Sequence, residues 1–370
     1  MNWYGGPEQK NQSYPVQKFQ FTDYAYITKE LDSAAIMERY WLSSRGLFVY
    51  IDYDVPLFLD QNSMHPDHIC FTAKKALPYY TYDDEYTFNY KIGFSSNSRK
   101  THMNVINSIL GKPTGIPEER LIRFPIWNTW VRYGRDINEE KIRDFAEEIS
   151  QHGFKYSLLD IDDMWETCYG STIVNLDRFP DMKNMTTEIK QKYPGIIIGM
   201  WVHPFINKNC EPHYTYAKEN NLLVKSFAGS TDTSWWNSGT DEASHVDYSN
   251  PEAINWFKNK LIGIQKDHGI DIFKFDAGET SWYPVDPNLQ GKREISPSQI
   301  TQNFVRMAAE FGNMLEVRAG WGTQDLKIFV RMLDFDSRWG WNNGLISMIP
   351  TLIQMNLNGY PFVLAGNSMN

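Results

Sequence analysis

From Arg123 onward, short apolar runs alternate with stretches patterned for helices, and that alternation constrains the fold more than any other feature of the chain. The apolar runs are Phe124–Val131, Tyr156–Ile161, Ile196–Val202, Ile270–Phe275, Met314–Val317, Ile328–Leu333 and Pro361–Leu364. Their length and apolar character suit strands buried in a parallel sheet. Between them, Asn138–Gln151 begins with an Asn cap and an acidic first turn, and Pro251–Asp267 is opened by Asn250-Pro251. Shorter helices are expected over Ser298–Phe311 and Leu345–Leu357. Strands linked by crossover helices predict an α/β fold, a (β/α)8 TIM barrel that stops after its seventh strand, because closure needs eight.

Residues 1 to 112 lack this rhythm. Tyr40–Leu42, Gly46–Asp52, His68–Thr72 and Tyr86–Ile92 are strand candidates separated by Pro, Asp, Asn and Ser turn signals, as in a partial β-sandwich domain. The Pro- and Gly-rich segment Gly111–Pro117 is the clearest linker, giving domains over 1–112 and 113–370. A chain of 370 residues with 42% hydrophobic content can bury a large core. Its net charge of −9, without a lysine or arginine tract, argues against nucleic acid and anionic membrane surfaces. Thirteen Trp and 21 Tyr fit sugar stacking as well as plain core packing. Cys70, Cys168 and Cys210 have no metal-like spacing, and their odd number leaves at least one unpaired. No apolar run reaches the length of a membrane span and the first residues lack a signal-peptide core, while Asn11-Gln12-Ser13 and Asn184-Met185-Thr186 are glycosylation sequons.

Carboxylates gather at the expected strand ends: Asp160 and Asp162 at the second, Asp276 at the fourth, Asp334 and Asp336 at the sixth. A barrel brings those ends to one mouth, and paired carboxylates there suit glycoside cleavage. Asp162 and Asp334 read first as turn or cap residues. Asp276 ends a strongly apolar strand with no evident capping partner, and Lys274 shares its strand face by period-two alternation. Lys274 is either a barrel salt-bridge partner or a group that meets substrate. Arg318 is either a substrate clamp or a structural pair orienting Asp276 or Asp336. His203 ends the third strand, as a pocket residue or a hydrogen-bonded structural one. His65 and His68 lack a carboxylate pattern for a metal site, and no phosphate loop or dinucleotide fingerprint occurs, so neither metal nor cofactor is expected.

The segments Glu38-Arg39-Tyr40-Trp41-Leu42-Ser43-Ser44, Leu159-Asp160-Ile161-Asp162, Asp177-Arg178-Phe179-Pro180-Asp181, Trp235-Trp236-Asn237, Lys274-Phe275-Asp276-Ala277-Gly278-Glu279 and Asp336-Ser337-Arg338-Trp339-Gly340 resemble family 31 glycoside hydrolases. The resemblance runs from Tyr40 to Leu364 and points to an α-galactosidase-like branch. It implies a retaining α-glycosidase with Asp276 as nucleophile and Asp336 as acid/base, Asp160 and Arg318 as sugar-contacting groups, and Trp236 as an aromatic wall. Trp127 and Trp321 are further pocket aromatics by the same resemblance. Lys274, two residues before the nucleophile, is similar to the lysine of α-galactosidases from other families, and an ammonium there could donate to an axial O4.

The pattern departs from the family after Leu364, where Ala365-Gly366-Asn367-Ser368-Met369-Asn370 replaces the expected run into an eighth strand, and C-terminal β-domains are expected but not seen. The expectation is a fragment of a longer product or a chain completed by a partner, with an upstream membrane anchor conceivable. The expected partners are an α-linked galactoside or other α-glycoside and, among proteins, a homo-oligomeric copy; the expected location of the full-length protein is the secretory lumen or outside the cell. α-Glucosidase or α-xylosidase activity, or a catalytically silent carbohydrate-binding role, are the alternatives.

Overall fold

Apolar runs buried along their whole length require a sheet covered on both faces, and the computed structural model has that arrangement, with helices against the outer face. It describes residues 1–79, 86–154, 158–290 and 296–366. Seven strands form one parallel sheet in chain order: Ile126–Asn128, Leu158–Ile161, Ile198–Val202, Ile272–Phe275, Glu316–Val317, Phe329–Arg331 and Val363–Leu364. Each pairs with the next, and among the described residues the first and seventh do not pair with each other. Between those two strands the interior holds an open cavity of about 260 Å³, lined in part by Asn128, Asp160, Glu316, Arg331 and Leu364.

The expected strand positions hold to within a few residues, with one correction. The run expected as a strand over Phe124–Val131 is extended only at Ile126–Asn128; Thr129–Tyr133 turns into a short helix because Asn128 caps it, its side chain accepting from Trp130 N at 2.8 Å. Tyr156 and Ser157 of the second expected strand lie outside the described residues. Helices Glu139–Gln151, Pro251–His268, Gln299–Ala309 and Leu345–Leu357 match the expected ones closely.

The fourth strand shows how the alternation works. Phe273 and Phe275 pack against Phe311 and Phe304 on the helical side, so Lys274 and Asp276 face the barrel interior. Trp127 of the first strand likewise lies outside, edge-on to Phe145 and Phe154. The expectation of a pocket aromatic at Trp127 is therefore corrected: its neighbours Ile126 and Asn128 take the inward face.

Seven strands between Trp3 and Phe94 form two antiparallel sheets among the described residues. One runs in the order Trp3–Pro7, Met37–Ser43, Leu47–Ile51, Tyr90–Phe94, and the other in the order Phe21–Ala25, Leu57–Gln61, Ile69–Ala73. The strand expected from Tyr86 starts at Tyr90, and three strands were not anticipated, those beginning at Trp3, Phe21 and Leu57. Their apolar cores meet around Val16, Met37, Trp41, Ile51 and Leu57, and Trp321 from the barrel joins them. Trp321 stacks on the Arg39 guanidinium, 4.9 Å to the ring centroid, and on Tyr53. It is a core residue between the two sheets and the barrel, which corrects its expectation as a pocket residue. In return Ile36 packs into the barrel core and bridges to Gly320. Polar groups seal the same junction: Thr28 Oγ1 meets the hydroxyls of Thr280 and Thr301, each at 2.8 Å, and Glu38 accepts from Tyr360 and Gly322 N. No helix among the described residues is long and apolar enough to cross a membrane.

Candidate active site

A charged side chain facing the inside of an apolar barrel must find a partner there. Asp276 finds several. Oδ1 receives Arg331 Nη2 at 2.7 Å, lies 3.3 Å from Arg318 Nε, and accepts from Ala277 N at 3.1 Å. Oδ2 accepts Trp201 Nε1 at 2.8 Å. Burial opposes the charge, but Arg318, Arg331 and Lys274, with the Trp201 N–H, outweigh it and hold the carboxyl well below the usual carboxylate range. The backbone then leaves the strand by an unusual route: Ala277 has φ +61° and Gly278 φ +97°. A Cβ on Gly278 would lie 2.5 Å from the Phe304 ring, so only glycine fits that second step.

Arg318 is held on the other side by Glu279, Nε to Oε1 at 2.8 Å and Nη2 to Oε2 at 3.2 Å. Its guanidinium lies 4.8 Å from the centroid of the Trp236 ring. Trp236 is 41% exposed and leans on Trp282 and Phe205, as an aromatic wall at the mouth would. Of the two alternatives left open for Arg318, the structural one is met: it pairs with Asp276 and Glu279, and it lies beside the exposed Trp236.

Deeper inside, Lys274 Nζ pairs with Asp162 Oδ2 at 2.9 Å, both side chains 6% exposed. Burial works against the ammonium, yet Asp162, Glu316 and Asp160 raise its pKa above the ordinary lysine value. Asn128 Nδ2 donates to Asp162 Oδ2 at 2.9 Å and to Asp160 Oδ2 at 2.8 Å, tying the first two strands together. Among the described residues Asp160 Oδ1 is buried without a partner. Burial pushes the Asp160 pKa up to about 8, with Lys274 pulling against it and Asp162 and Glu316 reinforcing it. Gly199 on the third strand makes the room, since a Cβ there would come within 2.7 Å of Asp160 Oδ1. The first reading of Asp162 as a turn residue is half of its role: Oδ1 does accept from Asp163 N at 2.9 Å, while Oδ2 is the counter-ion of Lys274.

The sixth strand ends at Arg331, earlier than the sequence implied, so Asp334 and Asp336 lie in the loop beyond it. Asp334 reaches back to Arg331 Nη1 at 2.6 Å. Asp336, its side chain 31% exposed, pairs with Arg338 at 2.7 Å and accepts Asn343 Nδ2 at 3.2 Å. His203 is not free to meet a ligand: Nε2 bonds Glu166 Oε1 at 2.7 Å and Nδ1 accepts from Phe205 N at 3.2 Å. The pairing fixes its tautomer with the proton on Nε2. Of its two readings, the structural one holds; it packs between Trp201 and Trp235, behind the indole that contacts Asp276. Glu166 also accepts from Gly170 N and Thr172 N, both at 3.0 Å, ordering the loop that the Cys168–Cys210 disulfide ties to the segment after the third strand. Cys70 is free.

Sequence reasoning passed over Arg331, Trp201, Glu279, Glu316 and Asn128. Arg331 and Glu316 carried a signal, each being a charge inside an expected apolar strand, where a buried partner is obligatory. Among the described residues no group of three or more His, Cys, Asp or Glu is placed to hold a metal ion.

Comparison with known proteins agrees with this fold. Residues 124–365 match the model of the glycosyl hydrolases family 31 TIM-barrel domain. The chain is 31% identical over 382 aligned residues to the myogenesis-regulating glycosidase of Mus musculus, covering 98% of this chain and 51% of that protein. It is 23% identical over 379 residues to the SITS-binding protein of Tetronarce californica, with the same two coverages, 98% and 51%. The chain therefore spans about half the length of these curated relatives. A family 31 α-xylosidase from a soil metagenome, solved with xylose, superposes with a TM-score of 0.76 at 17% identity, over 100% of this chain and 52% of that one. With the barrel matched from first strand to seventh and close to a third of all residues shared with the mouse glycosidase, the chain belongs to glycosyl hydrolase family 31.

Proposed function

We propose that the chain carries the active site of a retaining α-glycoside hydrolase that prefers α-galactosides, with Asp276 as nucleophile and Asp336 as acid/base. The observation that carries this reading is Asp276 itself, a buried carboxylate kept ionised by two arginines and an indole at the barrel mouth. Its Oδ1 is taken up by Arg331, Arg318 and a backbone N–H, whereas Oδ2 accepts from the Trp201 indole and is the less engaged oxygen, which makes it the attacking atom. In the first step Oδ2 bonds to C1 of the sugar while the C1–O bond to the aglycone breaks, and Asp336 gives that oxygen its proton. In the second, water attacks C1 and gives a proton to Asp336 as the Asp276 ester bond breaks, restoring both carboxyl groups.

The galactoside preference rests on Lys274. With Asp162 it presents a donor and an acceptor side by side, a pairing suited to an axial hydroxyl and its neighbour. Asp160, Arg318 and Trp236 complete the proposed sugar contacts. The competing sugar is an α-xyloside or α-glucoside, and a silent carbohydrate-binding role is the reading from another class. A secretory location is supported by the Cys168–Cys210 disulfide and by the exposed sequon residue Asn11. The proposed division of the chain is 1–112 and 113–370.

The test is hydrolysis of aryl α-galactoside and aryl α-glucoside by wild type, Asp276→Asn and Asp336→Ala, with NMR detection of the first-formed anomer. Turnover that persists in Asp276→Asn, or an inverted product, refutes the mechanism. Faster glucoside than galactoside turnover refutes the preference.

A further inference from the structure

An asparagine in a left-handed conformation, buried in a loop beside a carboxylate, is placed to hold that carboxylate. Asn343 has φ +54° and is 8% exposed. Its carbonyl accepts from Asp336 N at 2.7 Å, and its Nδ2 donates to Asp336 Oδ1 at 3.2 Å and to Asp334 O at 3.0 Å. Its own N–H donates to Lys10 O at 3.2 Å, and Lys10 N in turn donates to Asp32 O at 2.7 Å. A chain of backbone bonds thus runs from the N-terminal sheets to the loop that carries Asp336. Among the described residues the amide oxygen of Asn343 is buried with no partner. That imbalance is informative. An asparagine that merely filled a turn would satisfy both ends of its amide, whereas here the donor end is spent on Asp336 and Asp334 and the acceptor end goes without. The opposite orientation would set an oxygen against a carboxylate.

We propose that Asn343 is the positioning residue of the acid/base. It fixes both the main chain and the carboxyl of Asp336, and the N-terminal segment at Lys10 fixes Asn343. The inference rests on the assignment of Asp336 made above. On the far side Arg338 holds the other carboxylate oxygen, and the loop closes through Leu345 N to Arg338 O at 3.0 Å. Asn343 acts on the reaction only through Asp336, whose carboxyl it holds. Its effect is on where the proton donor stands, so it matters in proportion to how much proton the leaving group needs.

The experiment follows from that proportionality. Asn343→Gly keeps the left-handed backbone and removes the amide. Its kcat/KM is measured on two aryl α-galactosides, dinitrophenyl, which departs unaided, and phenyl, which needs a proton. The expected result is a loss of about 10-fold or more on the phenyl substrate and little on the dinitrophenyl one, general acid catalysis being worth about 100-fold or more when fully lost. An equal loss on both substrates means a loosened loop and overturns the proposal; so does no loss on either. Asn343→Asp, which sets an oxygen against Asp336 while keeping the side chain's shape, should show the same split, with thermal unfolding midpoints confirming that both variants fold. Asp336→Ala separates the two levels. If it shows the leaving-group split and Asn343→Gly does not, only this inference fails; if Asp336→Ala shows no split, the acid/base assignment fails with it.

Discussion

Replacing Lys274 by methionine tests the centre of the site, because length and volume are nearly kept while the cation paired with Asp162 is removed. At 2.9 Å and an effective dielectric of about 20, the pair attracts by roughly 6 kcal/mol before desolvation is counted. Burial of both partners takes back part of that, and the net loss on breaking one side of a buried pair is about 3–5 kcal/mol. The loss should appear as a lower urea midpoint with an unchanged slope. Adding Asp162→Asn should restore most of it, since Asn128 and a neutral amide no longer leave an uncompensated charge. The sign with pH is definite. The Lys274 pKa is raised in the folded state, so its contribution is complete below the unfolded lysine value, about 10.4, and fades only as pH climbs through the folded value above it. Neutral pH therefore reads the full effect. A loss under about 1 kcal/mol, or two substitutions whose effects simply add, would refute the claim that Asp162 and Lys274 form one unit. The same protein read by kcat/KM should lose aryl α-galactoside turnover more than α-glucoside turnover.

Asp160 titrates in the same sense over a lower window: its folded pKa is lifted to about 8, so between the unfolded value near 4 and pH 8 the folded state holds the extra proton and stability falls as pH rises. Asp160→Asn should flatten that slope in pH-dependent unfolding, and an identical slope in both proteins would exclude it. Removing the disulfide with Cys168→Ser and Cys210→Ser opens a loop of 42 residues and should cost about 3–4 kcal/mol by equilibrium unfolding, with no change meaning that the reduced chain keeps that loop closed. Trp236→Ala should raise KM with a small effect on the thermal midpoint, whereas Trp127→Ala should lower the midpoint with KM intact; the reverse pattern would exchange their assigned positions.

The barrel was legible because its signal is repetitive: each strand run announces its neighbour's, and errors at the ends of runs do not propagate. The site was legible in its main anion and less so in its partners. Asp276 stood out as a charge closing an apolar strand, but the groups that hold it come from three other strands or their ends, at Trp201, Arg318 and Arg331, and sequence spacing carries no information about which of them meet. Asp162 was legible only in part for a physical reason, since one carboxylate can serve a local turn with one oxygen and a distant lysine with the other. Trp127 and Trp321 show the limit of reading aromatics near strand ends. One residue of register, or one loop folded away from the mouth, moves an indole out of the pocket altogether.

The exchange of Trp321 and Ile36 between the sheets and the barrel has a practical meaning for anyone dividing this protein. A cut in the Gly111–Pro117 segment severs one covalent link but strands a tryptophan on each barrel preparation and leaves an isoleucine-sized gap beneath it. Glu38 would lose Tyr360, and Thr28 would lose its hydroxyl neighbours. The two regions are separable on paper but share one packed and hydrogen-bonded junction, so a substitution in the β-rich third of the chain bears directly on barrel residues such as Trp321 and Tyr360.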